Sequence, residues 1–168
     1  MRTIKKVASH IFIDGFGGMT QGLFATLIIG TMIQQIGLLI GGSTGNVIYL
    51  LGKVAAALTS AGIGVGVAVK YGESPLVTVS AAVAAMVGGY AGKITGGTFF
   101  VDGNAVLAGP GEPLGAFIAA FAGITCGHLV SGKTKVDIIV TPVITIGAGS
   151  VVGLLVGPPI SQMMTGLG

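Results

Sequence analysis

Between Ile11 and Ile40 the chain contains a single charged residue, Asp14, and this long apolar stretch limits what the chain can fold into. Over all 168 residues only 8% are charged, whereas soluble domains carry about 25%. So few charges cannot cover a water-exposed surface, so lipid must be the solvent for much of the chain. In lipid, a helix satisfies its own backbone groups. The expected fold is therefore an all-α integral membrane protein.

Turn clusters divide the apolar sequence into about five predicted transmembrane helices. A span needs roughly 20 apolar residues, and the first apolar stretch is longer, so Gly15, Gly17 and Gly18 are predicted to divide it. Residues 1–18 would then form an N-terminal interfacial segment, with an amphipathic helix over 3–14. A proline pair near the C-terminus is expected to stop the last span. The spans predicted within one transmembrane domain, 1–168, are 19–40, 47–69, 75–92, 113–131 and 136–157.

The segment 93–112 differs from its neighbours because glycines and Pro110 interrupt its apolar residues. It is too broken to form a complete span. Irregular backbone at membrane depth is tolerated where it lines a cavity, as in the broken helices of transporters. We therefore predict a re-entrant loop or a short half-helix over 93–112.

Glycine is the second strong signal, with 32 residues and no collagen period. Small residues allow helix backbones to approach closely in lipid, where van der Waals packing replaces the hydrophobic drive. Gly149, Gly153 and Gly157 repeat every four residues and predict a smooth packing strip. Five spans would form only half of a transport site and leave it without its partner. This incomplete site and the glycine strip together predict a homo-oligomer or pairing with a second membrane half.

The basic residues predict an orientation with the N-terminus in the cytoplasm. Lys93 then falls outside and Lys53 lies within a span, which agrees with the positive-inside rule. We interpret the net charge of +3 as this topology signal and not as a nucleic-acid surface. An odd number of spans is what half of an inverted-repeat transporter would have. The basic residues predicted to be cytoplasmic are Arg2, Lys5, Lys6, Lys70, Lys133 and Lys135.

Several stretches resemble one family of bacterial permeases. They are Ile13-Asp-Gly-Phe-Gly-Gly-Met-Thr-Gln-Gly-Leu-Phe-Ala-Thr-Leu-Ile-Ile-Gly30, Gly111-Glu-Pro-Leu-Gly-Ala-Phe-Ile-Ala-Ala120, Val130-Ser-Gly-Lys-Thr-Lys-Val-Asp-Ile-Ile-Val-Thr-Pro142 and Val156-Gly-Pro-Pro-Ile160. Together they resemble the membrane component IIC of the phosphotransferase system. The closest branch is that of perfringolysin-regulator-like proteins. The most specific part is Ser131-Gly-Lys-Thr-Lys-Val-Asp137.

The resemblance implies a sugar permease in the bacterial plasma membrane that presents its solute to a cytoplasmic phosphocarrier. Family members are about twice as long, so the chain resembles their N-terminal half. Glucose-type members carry a Gly-Ile-Thr-Glu motif, whereas here Gly123-Ile-Thr precedes Cys126, so no catalytic role is transferred. Two other functions stay open: a carrier or channel that does not phosphorylate its solute, and a membrane sensor or regulator.

The predicted solute site is formed by Asp102, Asn104 and Glu112, with Gln21 from the first span as a weaker member. Carboxylates and amides hydrogen-bond sugar hydroxyls, and ionisable groups at membrane depth need a functional reason. The alternatives are a solvated loop and, for Glu112, a helix cap. One cysteine, Cys126, excludes an internal disulfide and any cysteine-rich metal site. No metal or cofactor is expected.

Overall fold

The structure is a computed structural model that describes residues 1–167. It is almost entirely helical, which confirms the predicted all-α membrane fold. The helices are α1 Arg2–Ser9, α2 Gly15–Leu23, α3 Ile29–Ile40, α4 Gly42–Ala57, α5 Thr59–Lys70, α6 Pro75–Gly89, α7 Ala91–Thr95, α8 Pro113–Val130 and α9 Asp137–Leu167. Two short strands, β1 Phe100–Val101 and β2 Asn104–Ala105, form one antiparallel hairpin.

The first three helices run on without a break, so Arg2–Ile40 is one helix of 39 residues. π-helical turns at His10–Asp14 and Phe24–Ile28 join its parts. The prediction that Gly15, Gly17 and Gly18 divide this segment is therefore wrong. Gly18 instead packs against the backbone of Gly66 in α5. Whether residues 1–18 lie at the membrane interface stays a prediction.

The predicted second span, 47–69, is broken in the structure. Helices α4 and α5 meet at Leu58 with a bend of 52°. Just after the break, the Thr59 hydroxyl donates to the Ala56 carbonyl at 2.7 Å, which satisfies one acceptor at the end of α4. We call the junction of Ala57 and Leu58 the helix break. No glycine or proline marks it in the sequence, which is why the spacing of apolar residues missed it.

Three helices are long and apolar enough to cross a membrane: Arg2–Ile40, Pro113–Val130 and Asp137–Leu167. The bent α4–α5 pair is a fourth candidate. Helix α6 has 15 residues, about 22 Å at roughly 1.5 Å per residue, so it is short for a hydrocarbon core of about 30 Å. The count of five spans stays a prediction.

Helix α9 continues through Pro158 and Pro159 to Leu167, so the prediction that this pair ends the span is wrong. Proline removes one helical hydrogen bond, but transmembrane helices tolerate it when neighbouring groups compensate. The extension brings the last two turns of α9 beside α7, with Ser161 against Gly92.

The core lies where α5, α6 and α8 meet, and small side chains dominate it. Val67, Ala81 and Ala120 are fully buried there. The predicted glycine strip of α9 faces inward: a Cβ on Gly153 would lie 2.8 Å from Gly88 Cα. The expectation that this strip associates with another copy is therefore wrong, since α6 and α8 already occupy it. A homo-oligomer through another surface stays a prediction.

The segment 93–112 forms a hairpin and an extended run and not a half-helix. Asp102 and Gly103 occupy the hairpin turn, both with positive φ, at 51° and 78°, as a type I′ turn requires. Phe99 anchors the hairpin, its ring 5.4 Å from that of Tyr90. Whether the segment re-enters the membrane stays a prediction.

Candidate functional site

Residues 108–112 form a non-helical strap, bent at Gly109 and Pro110, that is held by hydrogen bonds to its backbone. The Ser60 hydroxyl, at the start of α5, donates to the Pro110 carbonyl at 3.0 Å. The Glu112 backbone N–H donates to the Gly89 carbonyl at 2.6 Å. Two further donors reach strap carbonyls: the Lys93 ammonium that of Ala108, and the Tyr90 hydroxyl that of Gly109. The strap is thereby fixed to the helix break and to the end of α6.

Tyr90 lies at the centre of these contacts and is only 1% exposed. Besides Gly109, its hydroxyl reaches the carbonyl of Ala57 at 3.2 Å, so one phenol joins the strap to the helix break. Lys93 lies over the ring, 5.3 Å from its centroid. Backbone carbonyls at a break lack helical partners, and Tyr90 satisfies one of them.

Beside the strap lies a cleft lined largely by polar side chains and glycine, which we call the polar cleft. It combines cavities of about 220 and 440 Å³ that share Gly92, Lys93 and Ser161. Its polar side chains are Lys93, Thr95, Glu112, Ser161, Gln162 and Thr165. Thr95 and Thr165 donate to carbonyls one turn back in their own helices, which leaves their oxygens free to accept from a solute.

Glu112 contributes the one carboxylate of this cleft. It stands just before α8, yet its side chain makes no capping hydrogen bond to that helix. The capping alternative is therefore not what the structure contains. With Lys93 in the same lining, the cleft offers both a carboxylate acceptor and an ammonium donor. Such charge-assisted hydrogen bonds are the stronger ones, and a vicinal diol can use both.

A second cleft of about 900 Å³ lies on the other side of the strap, at the helix break. Thr31, Gln34 and Lys53 are its polar side chains, and the rest of its lining is apolar or glycine. Ala108 and Pro110 line both clefts, so the strap is the wall between them. We call this second one the apolar cleft.

The predicted site residues are not brought together. Asp102 and Asn104 lie at the exposed hairpin turn, where the Asn104 amide donates to the Asp102 carbonyl at 3.3 Å. Gln21 is exposed on α2. Glu112 is the predicted member that lines the polar cleft. The contribution of the other three to solute binding stays a prediction.

Sequence reasoning missed most of the cleft. Lys93 was interpreted only as a topology signal, and Ser161, Gln162 and Thr165 were placed beyond the predicted end of the last span. A usable signal existed in their spacing. Thr165 follows Gln162 by three residues and Ser161 by four, which places the three on one side of a helix. The proline pair before them obscured that periodicity.

A second group of titratable side chains lies at the opposite end of the helices. His10 pairs with Asp14 at 2.7 Å, and His128 pairs with Glu73 at 3.0 Å. Tyr71 lies between the pairs, its ring 4.9 Å from that of His10. Burial raises the pKa of the Tyr71 phenol, and the Asp14 carboxylate raises it further, so it stays a donor. Within residues 1–167, no three His, Cys, Asp or Glu side chains form a group that could hold a metal ion.

No curated protein and no solved structure matches the chain significantly. Residues 13–168 match the sequence profile of one family, described as Phosphotransferase system, EIIC. The match covers nearly the whole chain and includes every stretch that carries the resemblance described above, although it does not confirm the branch. The chain therefore belongs to the EIIC family of membrane components of the phosphotransferase system.

Proposed function

We propose that this permease carries a hydroxylated solute, most simply a sugar, across the bacterial plasma membrane and binds it in the polar cleft. The EIIC family supports a permease of the phosphotransferase type. The presence of Glu112 and Lys93 in one cleft supports a solute rich in hydroxyls, because each hydroxyl can both donate and accept. Ser161 and Gln162 add neutral partners.

The observation that carries the proposal is the hydrogen bond that holds the strap to the start of α5. Helix α5 has 12 residues from Thr59 to Lys70, about 18 Å at roughly 1.5 Å per residue. With Lys70 at the membrane interface, the bond from Ser60 to Pro110 would hold the strap well inside a hydrocarbon core of about 30 Å. Irregular backbone at that depth is tolerated only where it lines a cavity or is buried in protein. This favours a solute site over a solvated loop.

The proposal extends to orientation and partners. The N-terminus would lie in the cytoplasm, as the basic residues predict. A cytoplasmic phosphocarrier would then receive the solute at that side, and a second membrane half or another copy would complete the transport unit. No nucleic acid, metal or cofactor enters this mechanism.

Transport assays in proteoliposomes test the proposal. Radiolabelled hexoses and polyols would be supplied with and without a phosphate donor and soluble phosphocarrier proteins. Phosphorylated solute that accumulates only with the donor would support phosphotransferase coupling. Flux without a donor would instead indicate a simple carrier or channel, and binding without flux would indicate a sensor.

The variant Glu112→Gln links the assay to the polar cleft, and Glu73→Gln is its matched control at the opposite end of the helices. Uptake should fall for Glu112→Gln and persist for Glu73→Gln. If the protein neither binds nor transports any hexose or polyol, the proposed solute class is wrong. Equal uptake by both variants would contradict the site.

A further inference from the structure

We propose that Tyr90 is a positioning residue whose hydroxyl latches the strap, and with it Glu112, to the helix break. In this role Tyr90 does not bind the solute itself. Its geometry stands independently, whereas its consequence for solute binding rests on the proposed function. The inference begins with the burial of Tyr90 and the two acceptors that its hydroxyl reaches.

The phenol has one proton and two carbonyl neighbours, those of Ala57 and Gly109. It can therefore donate fully to only one of them at a time. If the strap moves away, Tyr90 keeps Ala57 as acceptor and no buried hydroxyl is left unsatisfied. The bond to the Gly109 carbonyl thus holds the strap in place, and the alternative bond to the Ala57 carbonyl permits its release.

Tyr90 reaches three elements, which distinguishes it from the other residues that hold the strap. It follows the end of α6, bonds the end of α4 through Ala57 and bonds the strap through Gly109. Ser60 reaches the strap from α5, and the Lys93 bond is exposed to solvent. Hydrogen bonds in a buried setting are stronger than those open to water, so Tyr90 and Ser60 should hold the strap more firmly than Lys93, and Tyr90 alone ties it to the end of α4.

The strap is also the wall between the polar and apolar clefts, through Ala108 and Pro110. Moving it would change both clefts at once and displace Glu112, which ends the strap. Tyr90 therefore sets the position of the carboxylate without touching the solute. Its loss should raise the KM for transport more than it lowers the maximal rate, because the solute would meet a misplaced carboxylate.

A labelling experiment tests the latch without any solute. In a Cys126→Ala background, Ser60→Cys places a thiol against the strap, because Ser60 is 0% exposed and its hydroxyl bonds the Pro110 carbonyl. The reaction rate with N-ethylmaleimide in membrane vesicles then reports strap opening. Adding Tyr90→Phe should raise that rate about fivefold to tenfold, the effect of losing roughly one hydrogen bond.

The matched control is Tyr71→Phe, which removes a phenol that bonds the Ile11 carbonyl at 3.3 Å, at the opposite end. It should leave labelling at residue 60 unchanged. An unchanged rate in Tyr90→Phe, or an equal rise in both variants, would overturn the latch. If Ser60→Cys does not fold, Ala57→Cys replaces it, at a half-buried position that lines the apolar cleft together with Gly109 and Pro110. Faster labelling with no transport by the parent protein would overturn the proposed function and leave the latch standing.

Discussion

Gly149 in α9 lies directly against Ala119 in α8: a Cβ added to Gly149 would fall 2.6 Å from the Ala119 carbonyl oxygen. The same absence of a side chain recurs between α2 and α5, where Gly18 meets Gly66. Backbones this close gain van der Waals contact along the whole crossing, which is the main source of helix association in lipid. The glycines at these two crossings are therefore the surfaces through which the helices pack.

The substitution Gly149→Ala should destabilise the protein. The added methyl group has no space, and overpacking of this kind costs about 1–3 kcal/mol. The control is Gly147→Ala two residues away, where a Cβ would meet nothing within 4 Å and helix propensity improves by up to about 1 kcal/mol. Thermal unfolding in detergent measures both. Equal melting temperatures would show that the α8–α9 contact is looser than described.

The substitution Glu112→Gln should weaken solute binding about tenfold or more, a loss of roughly 1.4 kcal/mol. Stability should hardly change, because the carboxylate does not cap α8. Isothermal titration with the transported solute measures the affinity, and thermal unfolding measures the stability. A melting temperature that falls while affinity is kept would restore the capping alternative.

Asp102→Asn should affect binding less than Glu112→Gln. Asp102 occupies the exposed hairpin turn, where asparagine also adopts a positive φ with little strain. The same titration compares the two variants. An equal loss of affinity in both would return Asp102 to the solute site, together with Asn104 beside it.

The sequence predicts that lipid surrounds much of this chain, and it predicts most helix positions, because apolar runs and turn residues are local properties. It does not predict which face of a glycine strip is used, since Gly153 packs on Gly88 only after α6 and α9 are paired. The helix break at Leu58 is missed for a similar reason. Its stabilising partner, Tyr90, lies 33 residues from Ala57 along the chain.

The candidate site follows the same division. Glu112 could be predicted as a site residue from its neighbours in sequence. A carboxylate between two prolines in an apolar chain is costly to bury and therefore indicates a function. Lys93 and Ser161 could not be predicted, because their proximity depends on α9 continuing past its proline pair. Asp102 and Asn104 are near Glu112 in sequence, but they lie at the exposed hairpin turn and do not line the polar cleft.

The loops at residues 70–75 and 128–137 should face the same side of the membrane. His128 pairs with Glu73, and Ser74 and Ser131 lie within hydrogen-bonding distance at 3.2 Å, so the two loops share one end of the helices. In a Cys126→Ala background, Lys70→Cys and Lys133→Cys should label from the cytoplasmic side and Lys93→Cys from the other. Labelling of residues 70 and 133 from opposite sides would contradict the topology.

Gly92→Ala should reduce the affinity for solute without unfolding the protein. A Cβ at this position would lie 2.7 Å from the Ser161 hydroxyl oxygen, so the methyl group would displace that hydroxyl and narrow the polar cleft.

The double variant Gly92→Ala with Ser161→Ala removes the clash but also the hydroxyl. If Ser161 contacts the solute, the double variant should bind no better than Ser161→Ala alone, and Gly92→Ala should add little to it. A non-additive cycle of this kind identifies residues that act through one contact. Effects of the two substitutions that simply add would show that Gly92 and Ser161 influence the solute independently and that the cleft is not the binding site at this point.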